Sequence, residues 1–147
     1  MIAHQASAVA IAGRALLIEG PPGSGKSSLA LALIDRGAVL IGDDALLLAA
    51  QGTALLAHPH PRVAGLIEVR NLGLIARPVA AAVPVALVLA LDPAAPRFID
   101  TADAVERAGI MLPLVRLWPD SPVLALRAEV ALERYGQARA WGLSNPG

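Results

Sequence analysis

Gly20-Pro21-Pro22-Gly23-Ser24-Gly25-Lys26-Ser27 satisfies G-x-x-x-x-G-K-[ST] at every fixed position. An apolar run feeds it and a helical pattern leaves it, the context such a loop requires. The chemistry of that spacing is phosphate binding. Glycines let successive backbone N–H groups curl around phosphate oxygens, and the helix N-terminus adds the positive end of its dipole. Lys26 can reach the β- and γ-phosphates of a nucleotide, and the Ser27 hydroxyl can ligate Mg²⁺. Lys26 is also the only lysine in the chain, beside eleven arginines. A compact point charge suits this position where the wider guanidinium fork would not. The expected nucleotide-binding stretch is Gly20, Pro21, Pro22, Gly23, Ser24, Gly25, Lys26, Ser27 and Ser28.

Phosphoryl transfer also needs a second carboxylate for the metal and a group that orients or deprotonates the acceptor. Asp43-Asp44 closes a short apolar run after the helical pattern. Strand C-termini of α/β sheets face the phosphate site, so one of the pair suits a metal-linked role and the other a base. Asp92 also ends an apolar run, but Asp92-Pro93 reads better as the start of a turn. Glu68 and Arg70 lie two apart in Gly65–Gly73, so an extended backbone points them to one side. They read equally well as a metal-and-phosphate pair or as a surface ion pair. His58-Pro-His60 lacks a third metal ligand and reads as a solvated loop, and His4 by itself carries nothing.

The elements that must position these groups follow from hydrophobic period and turn residues. Ser7–Ala12 and Ala15–Glu19 read as a hairpin turning at Gly13-Arg14. The phosphate loop spans Gly20–Gly25, and Lys26–Arg36 has helical spacing with Gly37 as its stop. Ala38–Ile41 reads as a buried strand, Leu46–Leu56 as a hairpin turning at Gln51-Gly52, and Val85–Leu91 as a buried strand. Thr101–Ala108 is expected as a short helix capped by Thr101 and stopped by Gly109. Pro122–Tyr135 is expected as a helix with Ser121 as its N-cap. Residues 137–147 are expected to form a flexible tail. The whole reads as one α/β domain over residues 1–147.

Composition excludes several classes. At 147 residues the chain has the size of one domain, and 56% hydrophobic against 16% charged residues excludes a disordered chain. Twelve basic and twelve acidic residues give a formal net charge of zero, so no global field favours nucleic acid or a membrane surface. There is no cysteine, hence no thiolate chemistry, disulfide or cysteine-bound metal. Val79–Leu91 is interrupted by Pro84 and falls short of the roughly 20 apolar residues a spanning helix needs. The N-terminus has no early basic residue of a signal peptide, so a cytoplasmic protein is expected. Asn-Lys-x-Asp is absent, and with it the guanine pocket of GTPases.

Taken in order, His4, Gly20–Ser27, Arg36-Gly37, Asp43-Asp44 and Ile67-Glu-Val-Arg-Asn-Leu-Gly73 resemble the C-terminal catalytic domain of bacterial HPr kinase/phosphorylase. The resemblance implies a single P-loop domain with a mixed sheet and flanking helices, related to the phosphoenolpyruvate carboxykinase-type P-loop fold. It implies ATP and Mg²⁺, with the metal held by Ser27 and Glu68. It further implies a general base within Asp43-Asp44, Asp44 preferred and Asp43 supporting, acting on a seryl hydroxyl of an HPr-like phosphocarrier protein. His4 would lie beside the active site. Glu106-Arg107-Ala108-Gly109 is similar to the segment bearing the family's catalytic arginine, so Arg107 would stabilise charge on the transferred phosphoryl. The sequence departs from the family pattern at Pro22, where Ser is usual, and at Asn71, where Gly is usual. It lacks the downstream Pro-x-x-x-Gly-x-Asn segment associated with dephosphorylation and subunit contacts, as well as the usual N-terminal domain. The resemblance is therefore to a short-form kinase domain. A small-molecule kinase on the same scaffold and a non-catalytic ATP-sensing module are the alternatives.

Overall fold

The alternating pattern of Ala15-Leu-Leu-Ile18 sends successive side chains to opposite faces of a strand, and all four are fully buried. A strand buried on both faces must lie inside a layered structure, and it does. The computed structural model describes residues 1–138. In it, β3 (Arg14–Glu19) runs parallel to β9 (Val83–Leu91), which runs parallel to β11 (Ile110–Leu117). β2 (Ser7–Ile11) pairs antiparallel with β3, and β4 (Val39–Gly42) antiparallel with β2, so β4 points the same way as β3. β10 (Asp103–Arg107) closes the far edge against β11. The central sheet thus reads β10-β11-β9-β3-β2-β4.

Two layers cover its faces. Helices α1 (Lys26–Asp35) and α2 (Leu124–Tyr135) pack Leu29, Ala30 and Leu33, and Leu124, Ala128, Ala131 and Leu132, onto the face formed by Leu16, Ile18, Leu87 and Leu89. On the opposite face, β1 (Ile2–His4), β5 (Leu46–Gln51) and β6 (Ala54–Pro59) continue from the start of β9. They pack Leu46, Leu48 and Leu55 over Leu17, Val88, Leu112 and Leu114. A separate hairpin, β7 (Leu66–Val69) and β8 (Gly73–Ala76), sits beside α1, with Ile67 in the helix-side core. Among the described residues no helix is long and apolar enough to cross a membrane.

Most expected elements are present, with shifted turns. The first hairpin turns at Ala12-Gly13, whose positive φ angles of 51° and 82° match the mirror-image turn that suits strand twist. The second turns at Gly52-Thr53, one residue later than the sequence suggests. His58 and Pro59 belong to β6 rather than to a loop.

The expected helix at Thr101–Ala108 is wrong. Asp103–Arg107 is a strand, and Ala108-Gly109 is a second mirror-image turn (φ 49° and 83°). Helix propensity at Ala104 and Glu106 is a weak preference, overridden here by pairing along the whole of β10 with β11. Gly109, taken as a helix stop, is instead a turn residue. Ser121 does not cap α2 directly. Its Oγ and carbonyl accept the N–H groups of Val123 and Leu124 in a turn, and the helix starts at Leu124. Of the expected tail, Gln137 is tied to the sheet through its N–H to Ala86 and its carbonyl to Arg14; residues 139–147 lie outside the described residues.

Leu87, fully buried between α1, α2 and the sheet, sets the scale of core burial. Leu87→Ala is expected to cost about 2–5 kcal/mol in urea unfolding, against less than about 0.5 kcal/mol for Val130→Ala, since Val130 is exposed.

Candidate active site

The loop Gly20–Gly25 connects β3 to α1 at the C-terminal end of the parallel strands. Gly25 has φ 102° and Gly23 φ 80°, a left-handed backbone that a side chain would strain. Gly20 is held to glycine by space: a Cβ there would come within 2.6 Å of Ser24 Oγ and 3.3 Å of Leu91 Cβ. No side chain caps α1, so its first-turn N–H groups face the loop without a side-chain acceptor. Lys26 Nζ donates to the carbonyls of Gly20 (2.8 Å) and Pro21 (3.2 Å), which lays the lysine along the loop. A nucleotide's phosphates fit this arrangement, because backbone donors, a cation and an open glycine backbone converge at the loop.

Asp43 is the organising carboxylate. It is only 9% exposed, and its Oδ1 accepts hydrogen bonds from Ser27 Oγ at 2.6 Å and Ser7 Oγ at 2.8 Å. Its Oδ2 accepts the backbone N–H of Glu68 at 2.9 Å. Asp44 follows with φ 66°, its N–H donating to Ser7 Oγ at 3.3 Å. That left-handed step, tolerated by aspartate, separates the pair: Asp43 is buried and Asp44 is exposed in the cleft. The cleft, about 210 Å³, is lined by Pro22, Gly23, Gly25, Lys26, Ser27 and Ser28 of the loop and helix, and by Asp44, Glu68 and Arg70. Asn71 at the β7–β8 turn has φ 73°, which explains why asparagine can stand where a glycine is usual.

Most of the expected residues therefore meet in one cleft. Gly20 and Pro21 support Lys26 through their carbonyls, while Ser24 Oγ is buried with no hydrogen-bond partner among the described residues. The Glu68–Arg70 pair, ambiguous in the sequence, faces the cleft. Among the described residues there is no cluster of three or more histidines and carboxylates able to hold a metal by itself. Ser27 and Glu68 suit Mg²⁺, which commonly binds through one or two protein groups together with substrate phosphates. Asp92 behaves as the turn starter expected, its Oδ1 accepting the Ala94 N–H at 2.8 Å.

His4 and Arg107 come together outside the cleft, on a residue that sequence reasoning missed. Glu19 ends β3 immediately before the loop. It receives Arg107 Nε at 3.0 Å and Nη2 at 2.7 Å, and lies 2.8 Å from His4 Nε2. Burial alone would raise the Glu19 carboxyl, but hydrogen bonds and charge from Arg107 and His4 outweigh it and hold it at about 2. Glu19 is thus ionised and accepts, so His4 Nε2 carries the proton. The Arg107 guanidinium is raised in turn by the same hydrogen bonds, against its own partial burial. The available signal was a charged residue closing a buried strand against the phosphate loop. Ser7, the other residue missed, is a fully buried hydroxyl in an apolar run.

A glycine loop between a buried parallel strand and an uncapped helix, with a buried carboxylate on the loop serine, defines a P-loop domain. The model of the HPr Serine kinase C-terminal domain matches residues 1–80, more than half of the chain, and the chain belongs to that family. The HPr kinase/phosphorylase of Mycoplasma mycoides subsp. mycoides is 37% identical over 71 residues, 48% of this chain and 23% of that protein. A tRNA dimethylallyltransferase from a Methylobacterium strain is 52% identical over a shorter stretch of 52 residues, 35% of this chain and 17% of that protein. The whole fold matches the Hpr(Ser) kinase/phosphatase from Coxiella burnetii with a TM-score of 0.80 and 25% identity, covering 90% of this chain and 95% of that one. The chain spans less than a quarter of the length of the curated relatives it matches.

The Glu19 cluster gives a pH signature. Its carboxyl is depressed from 4.5 to about 2, so the stabilisation is complete above about pH 4.5 and is lost as pH falls toward about 2. That shift corresponds to about 3 kcal/mol. Urea unfolding of Glu19→Gln is expected to start lower than wild type at neutral pH and to decline less between about pH 5 and about pH 2. Parallel declines would show that Glu19 is not the titrating group.

Proposed function

We propose that the protein is an ATP-dependent serine kinase acting on HPr or an HPr-like phosphocarrier, and so regulating the phosphotransferase system. The observation that carries this reading is the Asp43 network, which ties the loop serine, the Glu68 backbone and the exposed Asp44 to one buried carboxylate. Lys26 and the amides of the loop and first helical turn bind the β- and γ-phosphates. Ser27 and Glu68 would hold Mg²⁺, which would neutralise charge on the phosphates. Asp44 accepts the proton of the seryl hydroxyl as its oxygen attacks the γ-phosphorus. The bond from the γ-phosphorus to the bridging oxygen breaks, and ADP leaves. Asp43 does not face the acceptor; it positions Ser27, Asp44 and Glu68. His4 and Arg107, engaged by Glu19, steady the strand end that feeds the loop. The direction proposed is transfer to the serine, within the single domain formed by residues 1–147.

One observation favours a second reading. A hollow of about 430 Å³ adjoins the loop, walled by Pro21, Pro22, Leu91, Pro93 and Pro119. It gives a small-molecule acceptor the concave site it would need.

The test is transfer of labelled γ-phosphate from ATP–Mg²⁺ to the HPr-like protein of the same organism. Wild type is expected to label a serine. Asp44→Asn is expected to bind ATP normally but lose roughly 10²–10⁴-fold in kcat, and Lys26→Ala to lose nucleotide binding. ATP binding without labelling of any phosphocarrier would overturn the protein-kinase reading. Labelling of a small hydroxyl compound would then favour the second reading, and ATP binding with transfer to no acceptor would favour an ATP sensor.

A further inference from the structure

Helix α2 carries two apolar stripes, and only one is used by the core. Leu124, Ala128, Ala131 and Leu132 face the sheet, while Leu126 and Val130, with Val123 just before the helix, lie on the exposed side, 45%, 54% and 40% exposed. Across from them stands Phe98, the only phenylalanine of the chain, 80% exposed. Between the two lies a groove of about 490 Å³. Its far wall is pinned at both ends. Trp118 Nε1 donates to the Ala95 carbonyl at 2.6 Å, and the Tyr135 hydroxyl donates to the Ile99 carbonyl at 3.3 Å. The groove is therefore built in advance and does not need a ligand to form it.

Its charge is one-sided. Arginines 97, 116 and 127 line it, and none of its lining residues is acidic. Arg116 is already engaged by Asp92 and Asp103. Arg97 and Arg127 have no carboxylate partner among the described residues, and Arg127 instead lies over the Trp118 ring, 5.8 Å from its centroid. In a neutral chain this leaves a local, uncompensated positive rim around an apolar floor.

We propose that this groove docks an acidic amphipathic helix of a partner protein, its apolar side chains seated between Phe98 and the Val123–Leu126–Val130 stripe and its carboxylates on Arg97 and Arg127. A helix supplies anchors at the spacing such a groove accepts, and acidic flanks complete the unpaired guanidiniums. Two other occupants are disfavoured by charge. A second copy meeting the same face by two-fold symmetry would oppose arginine to arginine. The chain's own residues 139–147 contain one arginine and neither aspartate nor glutamate. The proposal does not rest on the kinase reading, since neither Arg97 nor Val130 belongs to the phosphate cleft.

The experiment uses the full chain and two labelled synthetic peptides of about twelve residues. Both carry the same leucines at helical spacing, one flanked by glutamates and the other by lysines. Fluorescence anisotropy is expected to give at least roughly tenfold tighter binding of the glutamate peptide. The Arg97→Glu/Arg127→Glu variant is expected to remove that preference, and Val130→Asp to weaken the glutamate peptide. Circular dichroism and ATP binding are expected to be unchanged in both. Equal affinity for the two peptides, or a glutamate peptide indifferent to these substitutions, overturns the proposal. Complete displacement of that peptide by millimolar inorganic phosphate overturns it in favour of a small-anion site. A wild-type oligomer that Val130→Asp dissociates in sedimentation overturns it in favour of a second copy. Binding that arises only after removal of residues 139–147 overturns it in favour of the chain's own end.

Discussion

The site depends on one buried carboxylate. Asp43 is almost fully removed from water, and an ionised group in that position is tolerated only when donors replace its hydration. Each donor comes from a different element: Ser7 from β2, Ser27 from α1 and Glu68 from β7. Satisfying the charge therefore fixes the end of β4, the first turn of the nucleotide-loop helix and the small hairpin in one arrangement. Removing any donor leaves an underpaired charge in the interior, so the network tolerates little local variation. The exposed groups, Asp44, Glu68 and Arg70, inherit their positions from it.

On the sequence side of the loop, Glu19 plays a parallel part. It binds His4 from an edge strand and Arg107 from the far hairpin, joining segments 15 and 88 residues away to the strand that feeds the loop. The phosphate loop is thus suspended between two satisfied polar clusters, one before it and one after it. This supports the glycine-rich backbone of the loop from both sides. The same economy explains why His4 and Arg107 do not need to reach the cleft to matter to it.

The layers explain how a chain this short holds such a site. The parallel strands are covered on one face by two helices and on the other by β1, β5 and β6. Both faces of β3 and β9 are therefore buried, and their C-terminal ends open where the loop leaves. The helix layer is thin at its edge, however. α2 leaves a second apolar stripe beside Phe98, with two arginines above it that have no carboxylate partner among the described residues. Surface of this kind on a single domain is a place for a partner.

The local features were legible because they are written in contiguous residues. The phosphate loop, the two central strands, α1, α2 and the first two hairpins follow from glycine placement and hydrophobic period, and the family resemblance follows from their order. Even so, each of the first two hairpins turned one residue away from its apparent turn signal. Thr101–Ala108 reads as a helix on its own and is a strand only because β11 is there to pair with it. No pattern within Leu16–Glu19 announces that Glu19 will meet His4 and Arg107, and none within Ser7–Ile11 announces that Ser7 will serve Asp43. Nor does the Asp-Asp pair say which member turns inward. By itself the sequence determined the loop, its lysine and serine, and the family, since these depend on residue type and short spacing. Only the tertiary structure decided the roles of Glu19, Ser7 and the two aspartates, because desolvation and pairing act between residues that folding, not sequence, makes neighbours.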